Sequence, residues 1–261
     1  MKNVAHRNKM GLALSSGGVL GYAHIGVLRA LEELDVPVDM LSGASMGAIV
    51  AVFRGAGLDA AALEALALKY GAQVAAILDS LVPLRRLTSP QRLRNSLRAE
   101  LPVTLFEALQ KPVCITATDL DTGEGVAFDS GEIWGPLSGS FCLPGIFRPV
   151  KVGDRYLADG GMSLPVPVQE LYARGADRVI AVSLYDPEQG EPYKERLGVA
   201  KLLERSLNLI LHNVARPELD QADLVIRPDL KGCSPADVHE YVVRGYDAVM
   251  RQKAALRALV D

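Results

Sequence analysis

Val38-Asp39-Met40-Leu41-Ser42-Gly43-Ala44-Ser45-Met46-Gly47-Ala48-Ile49-Val50-Ala51-Val52-Phe53 is a short apolar run that enters a Gly-x-Ser-x-Gly turn and leaves it in a small-residue apolar run of helical character. Read as strand, turn and helix, it sets Ser45 on a sharp corner. The glycines at 43 and 47 let the backbone fold tightly and let a substrate come close. Ser45 then stands at the carboxyl end of a strand, and the following helix aims its first amides and the positive end of its dipole at the same place, which suits a developing oxyanion. That is an arrangement for a nucleophile. Taken alone, the pentapeptide reads equally well as a Gly/Ser loop before a buried helix, so the rest of the chain has to decide.

Upstream, Gly11 to Leu14 is a short apolar strand that runs into Ser15-Ser16-Gly17-Gly18-Val19-Leu20-Gly21 and then into a helical pattern from Tyr22 to Leu31. This is a second strand, glycine loop and helix. The spacing is not the Gly-x-Gly-x-x-Gly of dinucleotide binding, and no acidic residue ends a clear second strand to hold a ribose. A phosphate loop would need a Lys-Ser/Thr pair that is missing. No cofactor is expected here. The bare amides at Gly17 and Gly18 can donate to an oxyanion, or the loop can simply be a tight turn that lets a helix pack on the sheet.

Downstream, Gly57 to Leu81 predicts one or two helices with an N-cap at Asp59. From Pro83 to Leu101 the composition changes: Arg85, Arg86, Arg92, Arg94 and Arg98 interleave with Leu84, Leu87, Leu93 and Leu97. Such a basic amphipathic segment at 84–101 serves as a peripheral membrane contact or a lid, and more commonly as a solvated helix face. Pro112 to Asp119 reads as a buried strand, Asp121 to Gly125 as a turn and Val126 to Phe128 as a returning strand. A helix is predicted over Ile133 to Leu143, then a strand over Arg155 to Ala158 that closes on Asp159-Gly160-Gly161. A helix at Val168 to Arg174, strands at Val179 to Leu184 and Leu224 to Ile226, and a helix at Leu197 to Val214 follow. One long amphipathic helix over Pro235 to Val260, capped by Ser234 or Asp237, ends the chain. Strands alternating with helices predict an α/β fold whose mainly parallel sheet is covered on both faces, with ligands at the carboxyl ends of the strands.

The 261 residues, about half of them apolar, suit one domain over 10–261 after a tail at 1–9. A net charge of −3 with both signs mixed gives no reason to expect nucleic acid. Cys114, Cys142 and Cys233 are far apart and in no zinc or redox spacing, so buried thiols in a reducing compartment and no metal are expected. The apolar run after the polar start is too short and glycine-rich for a signal sequence or a membrane span. The chain reads as cytoplasmic.

Several blocks in order carry a family resemblance. Leu12-Ala13-Leu14 with Gly17-Gly18-Val19-Leu20-Gly21, His24-Ile25-Gly26-Val27-Leu28, Gly43-Ala44-Ser45-Met46-Gly47, Thr118-Asp119-Leu120-Asp121-Thr122-Gly123, Leu143-Pro144-Gly145-Ile146-Phe147, and Asp159-Gly160-Gly161 with Pro165-Val166-Pro167 together resemble the bacterial patatin-like phospholipases. The resemblance covers most of the chain, and the ordered set is far more specific than any one block. It implies a lipid acyl hydrolase on a three-layer α/β/α fold, acting on a lipid or small ester. By position it implies Ser45 as nucleophile, Asp159 as its partner and the amides of Gly17, Gly18 and Val19 as oxyanion hole. The family usually has lysine or arginine where this chain has Leu20, and glycine where it has Ser16.

A serine hydroxyl attacks only when a base takes its proton, and imidazole does this in most serine hydrolases. A carboxylate serves when desolvation in a cleft makes it more basic, and Gly160 and Gly161 leave room for a serine to reach Asp159. An isolated Asp-Gly-Gly is otherwise a turn. Two rivals remain. One is a Ser-Asp-His triad, for which His212 and His239 follow Asp159 but fall in helical patterns, while His24 lies on the helix after the glycine loop and His6 in the tail. The other is a lipid-binding or regulatory module that kept the fold without turnover.

Overall fold

The computed structural model describes residues 7–79, 89–186 and 198–260. Its strands are β1 (Met10–Leu14), β2 (Met40–Ala44), β3 (Val113–Asp119), β4 (Gly125–Phe128), β5 (Val150–Val152), β6 (Arg155–Asp159), β7 (Arg178–Val182) and β8 (Leu224–Ile226). The helices are α1 (Ala23–Glu33), α2 (Met46–Gly55), α3 (Ala60–Asp79), α4 (Gln91–Glu100), α5 (Trp134–Ser140), α6 (Val168–Ala173), α7 (Val199–Leu219), α8 (Val238–Arg251) and α9 (Lys253–Val260).

Five strands, β3, β2, β1, β7 and β8, lie parallel, and β4, β5 and β6 extend the sheet antiparallel. The parallel strands carry apolar residues on both faces because helices cover both. In β1 and β7, Leu12, Leu14, Ile180 and Val182 join the larger core under α1, α2 and α8, while Ala13, Val179 and Ala181 join a smaller core against α6 and the end of α7. Alternation of side chains along a strand produces this division.

The register at β3 places the chemistry. Ile115 and Thr116 pair with β2 on one side and with β4 on the other, while Ala117 and Thr118 pair with β4 and β6. A strand has two edges, so β4 takes one and β2 and β6 follow each other along the second. Ala44, the last residue of β2, pairs with Thr116, and Asp159, the last of β6, pairs with the adjacent Ala117. Two strands arriving from opposite directions thus end side by side, and the residues that leave them meet.

Three elements differ from the sequence reading. The C-terminal helix is two, broken at Gln252 between α8 and α9, with Asp237 accepting from the Glu240 amide at the start of α8. α7 runs past Val214 to Leu219 with Pro217 inside its last turn, where buried Ala215 and Leu219 anchor it. β5 was not foreseen; its three residues form a strand only by pairing with β6. The Asp59 cap is present, its carboxylate accepting from the Ala62 amide.

α1 and α8 pack backbone to backbone. A Cβ on Gly26 would collide with the Val242 carbonyl, and one on Gly245 with that of Ala23. Gly26→Ala must push the helices apart inside the larger core, with an expected loss of about 1–3 kcal/mol, or more if the backbones cannot shift. Thermal unfolding checks this, and an unchanged midpoint would contradict it.

Candidate active site

Ser45 occupies the corner between β2 and α2 at φ 53°, ψ −120°, a left-handed conformation that costs a non-glycine residue about 1–3 kcal/mol. The glycines beside it explain how it is held. A Cβ on Gly43 would strike the Gly47 carbonyl, and one on Gly47 would strike the Leu14 carbonyl and come 2.6 Å from that of Ser15. Strand, helix and the end of β1 therefore close on one another only without those side chains. The Ser45 amide is tied down as well, donating to Ser140 Oγ at 2.9 Å across from α5.

Asp159 meets it from β6. Ser45 Oγ donates to Asp159 Oδ2 at 2.6 Å, and the Gly161 amide donates to Oδ1 at 2.8 Å. The Asp159 backbone is pinned at both ends: its amide donates to the Cys142 carbonyl, and its carbonyl accepts from Thr118 Oγ1. Ser45 is 8% exposed and Asp159 5%. Burial pushes the Asp159 carboxyl from an ordinary 3.8 up to about 6, against the opposing pull of the hydrogen bonds from Ser45 and Gly161. A Cβ on Gly160 would collide with the Thr116 carbonyl, and one on Gly161 would lie 2.6 Å from Ser16 Oγ. The Asp-Gly-Gly turn thus touches β3 on one side and the glycine loop on the other.

That loop leaves β1 with the Ser15 amide donating to the Val182 carbonyl and the Ser16 amide to that of Pro165. It then closes a 3-10 turn over Gly18–Tyr22, in which Leu20 N donates to Gly17 O. The amides of Gly18 and Val19 precede that donor, so the turn itself uses neither. Gly18 sits at φ 54°, where glycine is favoured. Gly17 to Leu20 are partly exposed while Ser15 and Ser16 are buried, so the loop's tip opens to solvent. A Cβ on Gly21 would run into the Met46 side chain, which seats the loop over the first residue of α2.

Among the described residues no histidine is bonded to Ser45 or Asp159. His24 is fully buried beneath the glycine loop and donates from Nε2 to the Ser15 carbonyl at 2.8 Å. Burial lowers its pKa to about 4, so it is neutral near pH 7. His212 Nδ1 faces the Tyr185 carbonyl at 3.2 Å, and His239 pairs with Glu64 on the surface. His6 lies outside the described residues. The sequence reading missed Ser140, Thr118 and Cys142 as residues that hold the pair. Thr118 stood in a quoted block, whereas nothing in the sequence marks Ser140 or the Cys142 carbonyl.

In the 84–101 segment, Leu84, Arg85, Arg86 and Leu87 lie outside the described residues. In α4, Arg92 and Arg98 are exposed, but Leu93 is buried in the core, Leu97 packs against it, and Leu101 just beyond is buried too. Leu93, Leu97 and Leu101 thus serve to dock the helix on the core. No helix among the described residues is long and apolar enough to cross a membrane, and no cluster of three or more His, Cys, Asp or Glu among them could hold a metal.

The arrangement can be set beside known proteins. An uncharacterised NTE family protein of Mycobacterium tuberculosis (strain ATCC 25618 / H37Rv) is 36% identical over 183 residues, 70% of this chain and 51% of that protein. The chain therefore spans about half the length of that relative. A lysophospholipase NTE1 of Mycosarcoma maydis is 28% identical over 187 residues, 70% of this chain and 10% of its own. Among solved structures, VipD from Legionella pneumophila superposes with a TM-score of 0.53 at 14% identity, over 98% of this chain and 68% of that one. ExoU in its complex with SpcU from Pseudomonas aeruginosa gives 0.54 at 19%, over 96% and 52%. Identities this low speak for the fold. The family described as patatin-like phospholipase matches residues 12–172, a span that contains the glycine loop, the Ser45 corner and Asp159; with more than half of its length inside that match, the chain belongs to the patatin-like phospholipase family.

Proposed function

We propose that this chain is a lipid acyl hydrolase in which Ser45 is the nucleophile, Asp159 its base, and the Gly17–Gly18–Val19 loop the oxyanion hole. The observation that carries the reading is the 2.6 Å hydrogen bond from Ser45 Oγ to a carboxylate that burial makes more basic. Asp159 takes the proton as Ser45 Oγ attacks the ester carbonyl, and the negative charge formed on the carbonyl oxygen is met by the Gly18 and Val19 amides. Collapse breaks the bond to the leaving alkoxide, which takes the proton from Asp159. Water then attacks the acyl-enzyme, giving its proton to Asp159 and thence to Ser45 as the acid leaves. Dipole and amides at the start of α2 add to the favourable field at the corner.

Two further facts support this reading over the rivals. Each described histidine is engaged away from the pair, which leaves none of the described imidazoles for a triad. Ser45 is also held in a strained conformation by two glycines, a cost with no structural benefit in a module that only binds. A lipid substrate agrees with the family and with the lysophospholipase name of the Mycosarcoma relative.

A fluorophosphonate probe tests it. Labelling of the wild type at Ser45, absent in Ser45→Ala and weak in Asp159→Asn, is expected. A folded wild type that takes no label would argue for a non-catalytic module.

A further inference from the structure

We propose that a basic cavity bordered by α4, α5 and β5 binds a phosphate group. It has a volume of about 290 Å³, and Ser89, Gln91, Arg94, Ser138, Arg148 and Lys151 contribute to its wall. Three of these are cations, and among the described residues no carboxylate lines the cavity, although the chain as a whole carries −3. Several arginines elsewhere are paired with carboxylates: Arg29 with Glu64, Arg54 with Glu32, Arg174 with Asp129 and Glu170, Arg178 with Asp223. Among the described residues Arg94, Arg148 and Lys151 form no ion pair; Lys151 rests its ammonium over the Tyr156 ring instead, 5.8 Å from the centroid. Arg94 Nε is buried and has no hydrogen-bond partner.

A charged N–H held out of water without an acceptor is unfavourable, and three cations around one space repel one another. An anion held among them removes that repulsion. Phosphate suits the wall better than a carboxylate, because its three or four oxygens can each accept from a separate cation while an arginine fork takes two of them together. Ser89 Oγ accepts from the Gln91 amide at 3.2 Å, which leaves its O–H free to donate to the ligand. Arg148, Lys151 and Ser89 are exposed, so the cavity opens to solvent, and Ser138 closes it from within α5, its hydroxyl already donating to the Trp134 carbonyl.

The cavity is distinct from the Ser45–Asp159 pair. α5 serves both: Ser138 lines the cavity, and Ser140 accepts from the Ser45 amide. Residues two apart on a helix point in nearly opposite directions, so an anion here is not part of the ester under attack. The chemistry is that of a phosphate group, which an anionic lipid headgroup or a free phosphate both supply.

The test reads binding and is independent of turnover at Ser45. Inorganic phosphate is titrated by calorimetry against chloride at matched ionic strength. Co-flotation then compares phosphatidylcholine vesicles with and without phosphatidic acid. The variants are Arg94→Gln and the exposed pair Arg148→Gln/Lys151→Gln, which leaves the core untouched if loss of Arg94 disturbs α4. Saturable phosphate binding or selective retention on phosphatidic acid vesicles is expected, weakened about tenfold for each cation removed. Binding in both arms means that free phosphate suffices, and binding to vesicles alone identifies the headgroup as ligand. Absence of both, or binding undiminished in the Arg148→Gln/Lys151→Gln protein, would overturn the proposal.

Discussion

Asp159→Asn is expected to lower kcat for a soluble p-nitrophenyl ester by about 100- to 10,000-fold, the range over which a positioned general base contributes. The substitution keeps the shape of the side chain and its bond to the Gly161 amide but removes the carboxylate proposed to take the Ser45 proton. His212→Gln and His239→Gln retain most activity, since these rings face Tyr185 and Glu64. His24→Gln does so as well, because an amide N–H replaces the one that holds the Ser15 carbonyl. Loss of turnover in any folded histidine variant would restore the triad. In the wild type, kcat/KM falls as pH drops through about 6, where Asp159 takes up a proton and ceases to be a base.

The same group sets an opposite trend in stability. Asp159 titrates near 3.8 when unfolded and near 6 when folded, so between those values the folded state binds more protons. Its contribution to stability is greatest below about pH 4 and is lost as pH rises through about 6, above which the fold holds an ionised carboxylate against desolvation. Asparagine does not titrate. Asp159→Asn should therefore gain on the wild type between pH 4 and pH 8 by an amount on the order of 3 kcal/mol, a shift of about two units expressed as energy. Urea unfolding of both proteins at the two pH values measures it, and an equal difference at both would show that Asp159 is not the desolvated group described here. For the base proposed here, such a loss of stability is the usual trade at an active site.

How far the sequence discloses this site depends on whether a feature is local. The Ser45 corner is local: glycines two residues either side and a helical run behind are enough to place it, and the positive φ follows. The parallel sheet is legible for a similar reason, because β3 and β7 are β-branched runs between helical patterns. Asp159 is local only as a turn. What makes it a partner is the register of β2 and β6 along one edge of β3, two strand pairings that together bring residues 114 positions apart into contact. No spacing rule reaches that far, and the family blocks supplied it by order. Ser140 was silent because a serine in a short helix has no distinguishing pattern until the fold sets it against the Ser45 amide. The role of the α4 leucines is hidden for a related reason: an amphipathic face looks the same whether it meets lipid, solvent or the protein's own core.

The glycine loop proposed as the oxyanion hole gives the second large effect. Gly18→Val is expected to lower kcat by about 100- to 1000-fold, the cost of one lost donor of this kind. Gly18 lies at φ 54°, a conformation that costs an L-residue about 1–2 kcal/mol and a β-branched one more, so valine draws the residue out of it and turns the first amide of the 3-10 turn away from the corner. The loop's other anchors hold it in place meanwhile: Ser15 and Ser16 stay bonded to Val182 and Pro165, and His24 still supports the Ser15 carbonyl. The damage should therefore fall on kcat with little change in KM, because the donor matters for charge that develops only in the transition state. Fluorophosphonate labelling should slow in parallel, since the probe's oxygen takes the place of the oxyanion. Circular dichroism must show a folded protein with a modestly lowered melting temperature. A folded Gly18→Val protein with near-normal kcat would take this loop out of the mechanism and leave the start of α2 as the remaining source of amide donors beside Ser45.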